Sequence, residues 1–94
     1  MMNEEATMLA LSAIAHRSRL AIFKALAGAG PRGLSAGEIS AQLKIVPSSL
    51  SFHLKEMSRA ALLSGRREGT CIYYSAEESV VVEVIAFLIE NCLA

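Results

Sequence analysis

Two helix-start signals twelve residues apart, at Ser35 and Pro47, constrain this chain more than anything else in it. SAGE, residues 35–38, has capping-box spacing: the Ser35 hydroxyl can take an N–H of the first turn while Glu38 reaches back. Ala36, Ile39 and Leu43 then line one side of a short helix. Pro47 fits the first turn of the next helix, where its missing N–H costs nothing. Leu50, Leu54 and Met57 supply that helix's apolar stripe, so only Lys44, Ile45 and Val46 remain for the link. Two helices joined by so short a turn are a helix-turn-helix, whose second member can lie in a DNA major groove.

The open face of the second helix agrees with that placement. Ser48, Ser49, Ser51 and Phe52 point away from the stripe, with few charges around them. Small hydroxyls let a helix approach base edges and phosphates, and a phenylalanine can meet a thymine methyl or a sugar. Pro47 and Lys55 belong to the same expected surface. After Ala61 the period changes: residues 62–75, LLSGRREGTCIYYS, form two extended runs around EGT. This reads as a β-hairpin with Gly69 at its turn. Arg66 and Arg67 flank the tip of this wing, with Thr70 beside them, where they would reach phosphates or an adjacent minor groove.

The charge distribution fits. All nine basic residues lie between Arg17 and Arg67, against two acids, Glu38 and Glu56, a net of +7 for that span. The flanks hold the other seven glutamates and no base, a net of −7. A positive central segment suits a polyanion, and the flanks must serve another purpose. Asn3 can cap a helix over residues 4–15, with Met8, Leu11 and Ala15 on one side. A second helix over 17–27 would turn Leu20, Phe23 and Leu26 or Ala27 inward. GAGPRG, 28–33, is a loop. From Glu77 to Leu93 the pattern is helical again, but valines, isoleucines, leucines and Phe87 wrap nearly all round it. A helix apolar on every side is buried on every side.

Ninety-four residues make one domain, 1–94, and 53% of them are hydrophobic, more than a small monomer easily hides. The first and last helices are therefore expected to pack against a second copy, with Met8, Leu11, Val84, Ile85 and Leu88 in the interface. The longest late apolar run, VIAFLI, is too short for a membrane span. MMNEEATM carries two acids and no base, unlike a secretion signal, so a cytoplasmic protein is expected. The expected class is mainly α with a small β-hairpin wing: four helices, the hairpin and a final helix.

LSAIAHRSRLAIFKAL, the run SAGEISAQLKIVPSSLSFHLKEMSRAALLSGRREGTCIYYS and the last helix together resemble the ArsR/SmtB family of winged helix-turn-helix repressors, over residues 8–93. The resemblance implies a homodimer on double-stranded promoter DNA with an inverted repeat, released by an effector that is often a metal or metalloid. It places Ser48, Ser51 and Phe52 among the base-contacting positions and His53 at a half-buried histidine. Lys44 stands where that family has a glycine, and a left-handed backbone there would cost about 1 kcal/mol. Val46 replaces the usual serine cap, also a loss of roughly 1 kcal/mol. His16 and Arg17 replace an Asp-Pro start. No cofactor is implied. The cysteine pair of soft-metal sensors and the Asp/His set of zinc sensors are missing, so a zinc-type site is not expected. The loop pattern GPxG-xxxGEI, residues 30–39, and the ending FLxExC are similar to a subset that binds trivalent arsenicals through C-terminal cysteines. Cys92 is retained there, while Leu93 takes the neighbouring cysteine's place. Cys92 reads equally as an effector thiol and as an interface hydrophobe, and Cys71 rather as a half-buried strand residue.

Ser49, His53 and Glu56 follow nucleophile, base and orienter order along one helix face. Neighbours on one helix cannot also build an oxyanion hole and a cleft around themselves, so no enzyme is expected. The rival reading is a winged-helix protein-interaction module, or a repressor whose sensor is redox-responsive or vestigial.

Overall fold

A computed structural model describes residues 2–93. Five helices run α1 (Glu4–Ile14), α2 (Arg17–Ala29), α3 (Ala36–Leu43), α4 (Pro47–Arg59) and α5 (Glu78–Leu93). Three strands, β1 (Leu34–Ser35), β2 (Leu63–Glu68) and β3 (Cys71–Ala76), form one antiparallel sheet in the order β1-β3-β2. The core is built on Ile22, Leu26, Ile39, Leu50, Met57 and Leu62, one or two from each of α2, α3 and α4 and the start of the wing. Among the described residues no helix is long and apolar enough to cross a membrane.

Local signals explain most boundaries. The Asn3 side chain accepts from the Ala6 N–H at 2.7 Å and starts α1. Ser35 accepts from the Glu38 N–H while the Glu38 carboxylate takes the Ser35 N–H, completing the capping box. That carboxylate also meets Arg32, and the Ser35 N–H followed by Arg32 holds it below the usual glutamate range. The link after α3 puts Lys44 in the left-handed region at φ 56. Ser40 holds this turn from both sides: its hydroxyl donates to the Ile45 carbonyl at 2.6 Å, and its own carbonyl accepts from the Ile45 N–H.

The end of α4 follows the same logic. The Leu62 N–H donates back to the Met57 carbonyl and the Ala61 N–H to the Ser58 carbonyl, the paired bonds of a Schellman ending. Leu62 and Met57 are both fully buried, which adds the accompanying apolar contact. The residue in the left-handed position is Ala61, at φ 62, where glycine is usual. Ala61→Gly is therefore expected to stabilise the domain by about 1 kcal/mol, measured as a raised urea midpoint at unchanged slope. A loss of stability would show that the strain is relieved some other way.

The wing has a third strand that two residues could not announce by periodicity. Leu34 pairs with Tyr74 and Ser35 with Tyr73, so the residue that caps α3 is also stitched to the wing. Glu68 pairs with Cys71 across a two-residue turn, with Gly69 at φ 65, as the hairpin reading requires.

The inward face of α1 is built from small residues, and that of α2 differs in part from expectation. α1 buries Thr7, Ala10 and Ala13, leaving Met8 and Leu11 exposed and Ala15 beyond its last turn. Small side chains let α1 approach its neighbours closely, and the long apolar ones are left outside. α2 buries Ile22 and Leu26, whereas Leu20 and Phe23 line an apolar recess of 220 Å³ shared with Leu11, Ile14, Val81 and Ile85. α5 buries only Val80 and Val84 in its own chain. Val84, placed by the sequence in a subunit interface, belongs to the core of the single chain at 8% exposure. Ile85 at 51% and Leu88 at 47% stay on the outer side.

Candidate nucleic-acid interface

α3, the Ser40-braced turn and α4 present one open surface. Leu50, Leu54 and Met57 anchor α4 in the core. With that stripe buried, Pro47, Ser48, Ser49, Ser51, Phe52 and Lys55 are all exposed. No side chain caps the helix at Val46, and Pro47 has no N–H to offer. The Ser48 and Ser49 N–H groups of the first turn are thus left open beside the hydroxyls. What sequence reasoning counted as a lost cap leaves two backbone donors where an anion can take them.

Phe52 does not stand alone. The Arg19 guanidinium lies 5.7 Å from its ring centroid and donates through Nε to His53 Nδ1 at 3.0 Å. The His16 ring packs on His53 with centroids 4.8 Å apart, while its own Nδ1 accepts from the Ser18 N–H at the start of α2. Burial, then the Arg19 charge, then His16 push the His53 imidazole below the ordinary histidine range. Sequence reasoning placed His53 as a half-buried, packed residue but missed Arg19. No spacing rule links positions 34 residues apart.

The two wing arginines separate. Arg67 is exposed on β2, and Thr70 is exposed at the tip. Arg66, expected to reach outward with Arg67, stays exposed but folds back along the wing. It meets Glu68 at 2.6 Å, donates to the Pro31 and Arg32 carbonyls, and lies 5.7 Å from the Tyr73 ring centroid. Arg32 approaches the same ring at 5.6 Å. The reason is the pleat: adjacent strand residues point to opposite faces, so two neighbouring arginines cannot share one role. Arg66 fastens the wing to the loop before α3. Strand alternation was the signal that could have shown this.

Cys71, expected as a half-buried strand residue, is instead free and exposed where it opens β3 beside the wing tip, and Cys92 is free and exposed in the last turn of α5. Among the described residues no cluster of three or more His, Cys, Asp or Glu is placed to hold a metal ion. Ser49, His53 and Glu56 form no relay: Glu56 pairs with Arg59 at 3.5 Å, and His53 is engaged by Arg19.

A family model described as a helix-turn-helix domain matches residues 14–66, from the end of α1 into β2. The chain belongs to that family. Its helix-turn-helix is also shared with the transcriptional activator HlyU of Vibrio cholerae, 31% identical over 86 residues that span 92% of this chain and 77% of HlyU. For other curated relatives the match spans less than two thirds of each protein's length. An ArsR-like regulator from Rhodococcus sp. RHA1 superposes with a TM-score of 0.87 at 18% identity, covering 95% of this chain and 81% of that one. A homodimeric winged helix-turn-helix DNA-binding domain from Mycobacterium bovis, described as a possible ArsR-family transcriptional regulator, gives 0.75 at 23%, covering 93% and 79%. The fold of this helix-turn-helix protein is the ArsR-like winged helix, and its relatives are transcriptional regulators, not enzymes.

Proposed function

We propose that the protein is a transcriptional regulator that reads an inverted-repeat operator as a homodimer. The observation that carries this reading is the open N-terminal half of α4. Three serine hydroxyls, two uncapped N–H groups and Phe52 lie together on a helix locked in place by a three-residue turn. Base edges take the hydroxyls, and backbone phosphates take the N–H groups. Arg67, Thr70 and Lys55 extend the contact to the sugar–phosphate backbone, while Arg66 holds the wing rather than touching DNA. The +7 central span supplies a long-range field that an adaptor protein has no use for.

Ser48→Ala or Ser51→Ala is expected to weaken binding to the preferred duplex by about 1–3 kcal/mol, with little change on unrelated DNA. Arg67→Ala should weaken binding to all sequences and reduce the slope of log K against log salt by about one. Fluorescence anisotropy across a salt series measures both. Serine variants that lose affinity equally for every sequence would remove α4 from the role of reader.

The relatives' names include an activator, HlyU, and a repressor, SdpR of Bacillus subtilis, so the same DNA contact serves either sign of regulation. For this chain we favour repression, relieved by a thiol-reactive effector at Cys92, with trivalent arsenic as the candidate. One thiol per subunit is a poor arsenical site, and Cys71 lies on the wing, so the partner's Cys92 or an external thiol must complete it. Arsenite or peroxide should release bound DNA from the wild type but not from Cys92→Ser. Release that survives the substitution would place the sensor elsewhere.

A further inference from the structure

The group formed by His16, Arg19, Phe52 and His53 is not explained by either the core or the DNA-facing serines. Arg19 is the link. It donates to the Ala13 carbonyl at the end of α1 and to His53 Nδ1 on α4, and its guanidinium faces the Phe52 ring. Both histidines use Nδ1 as an acceptor, His53 for Arg19 and His16 for the Ser18 N–H. The His53 ring that accepts from Arg19 must therefore be neutral, with its proton on Nε2.

Charging His53 turns that acceptor into a donor facing a donor, and sets an imidazolium against Arg19 and the His16 ring. The surrounding elements offer no carboxylate in compensation. α1 has no charged residue after Glu5, and α2 carries only the bases Arg17, Arg19 and Lys24. Glu38 of α3 is paired with Arg32, Glu56 of α4 with Arg59, and Glu68 of β2 with Arg66. The remaining bases on these elements, Lys55 and Arg67, only add like charge.

We propose that Arg19 is a positioning residue for the reading helix, held by neutral His53 so that it supports Phe52 at the DNA surface, and that protonating His53 releases it and weakens sequence-specific binding. The proposal rests on the DNA-binding reading given above. Burial, then the Arg19 charge and the neighbouring His16, lower the His53 proton affinity, so the neutral form is the folded protein's preferred one. The support is complete above the ordinary histidine range, about 6.5, and is lost as pH falls through the depressed value. This sign is diagnostic. For a basic surface on a polyanion, acidification alone adds positive charge and strengthens binding.

The test uses a duplex selected by the wild-type protein from a random-sequence pool at about pH 8. Binding is compared at constant salt at about pH 8 and about pH 5.5, with circular dichroism confirming the fold at both. The wild type should lose affinity on the order of tenfold on acidification. His53→Asn, whose Oδ1 can accept from Arg19 without titrating, should show a flat or rising profile. In free protein, NMR should show the Phe52 ring resonances following the His53 titration, and Arg19→Gln should raise that titration midpoint. A wild-type affinity that holds or rises at low pH overturns the proposal, as does a loss that persists in His53→Asn. A pool that yields no duplex counts against DNA binding itself. In that case Phe52 resonances that ignore the His53 titration overturn the positioning role independently.

Discussion

Gly33→Ala is expected to lower the unfolding free energy by about 3 kcal/mol or more, a large share of the roughly 5–15 kcal/mol available to a small domain. Gly33 has φ 73 and ψ −171, a region essentially closed to residues with a Cβ. Space is the second reason. A methyl there would overlap the Tyr74 carbonyl oxygen, because β1 and β3 approach each other at this point. Tyr74 is pinned in the middle strand and cannot retreat without breaking pairs on both sides. Gly28 is the control: it lies in α2 with nothing within 4 Å of an added Cβ. Gly28→Ala should be neutral or stabilising by up to about 1 kcal/mol. Urea titrations of the two variants measure the contrast, and similar midpoints would mean that the β1–β3 junction yields easily.

Ile85→Glu should separate the subunits, weakening self-association by roughly a hundredfold or more, since a symmetric interface receives the unpaired carboxylate twice. The fold of the single chain should survive, because Ile85 is half exposed there. Val84→Glu makes the contrast: Val84 is buried in its own chain, so that variant should unfold rather than dissociate. Sedimentation equilibrium with far-UV circular dichroism distinguishes the two. A wild type that sediments as a monomer at micromolar concentration would leave Met8, Leu11, Leu20, Ile85 and Leu88 without the covering this account gives them.

How much of this was legible in the sequence differs by element. The capping box at Ser35 and Glu38, the Asn3 cap and the Gly69 turn were readable because each is a local bond between residues three or fewer apart. The stripe of α4 was readable for the same reason, through its 3.6-residue period. β1 was not, since a strand of two residues has no period and exists only through Tyr73 and Tyr74, some forty positions away. On α2 the reading held for Leu26, which is core, but not for Leu20, which stays exposed. On α1 the chain buries Thr7, Ala10 and Ala13, small residues that no long apolar stripe marks, and leaves Met8 and Leu11, assigned to a subunit interface, outside. At the candidate site, the exposed serines were legible from composition and spacing, and strand alternation could have separated Arg66 from Arg67, whereas the Arg19–His53 bond and the Arg66 contacts with Pro31 and Arg32 were tertiary facts. The Lys44 departure was legible and correct: the residue does take the left-handed conformation, and Ser40 braces the turn around it.

The central claim is that α4 reads DNA sequence within a two-fold assembly, and enrichment of duplexes from a random pool tests it most directly. The wild type should enrich an inverted repeat whose half-site centres lie one helical turn, about 34 Å, apart. The variant carrying Ser48→Ala, Ser51→Ala and Arg67→Ala should enrich no sequence. A wild-type pool that stays as random as the variant's, or a variant that enriches the same repeat equally well, would contradict the account.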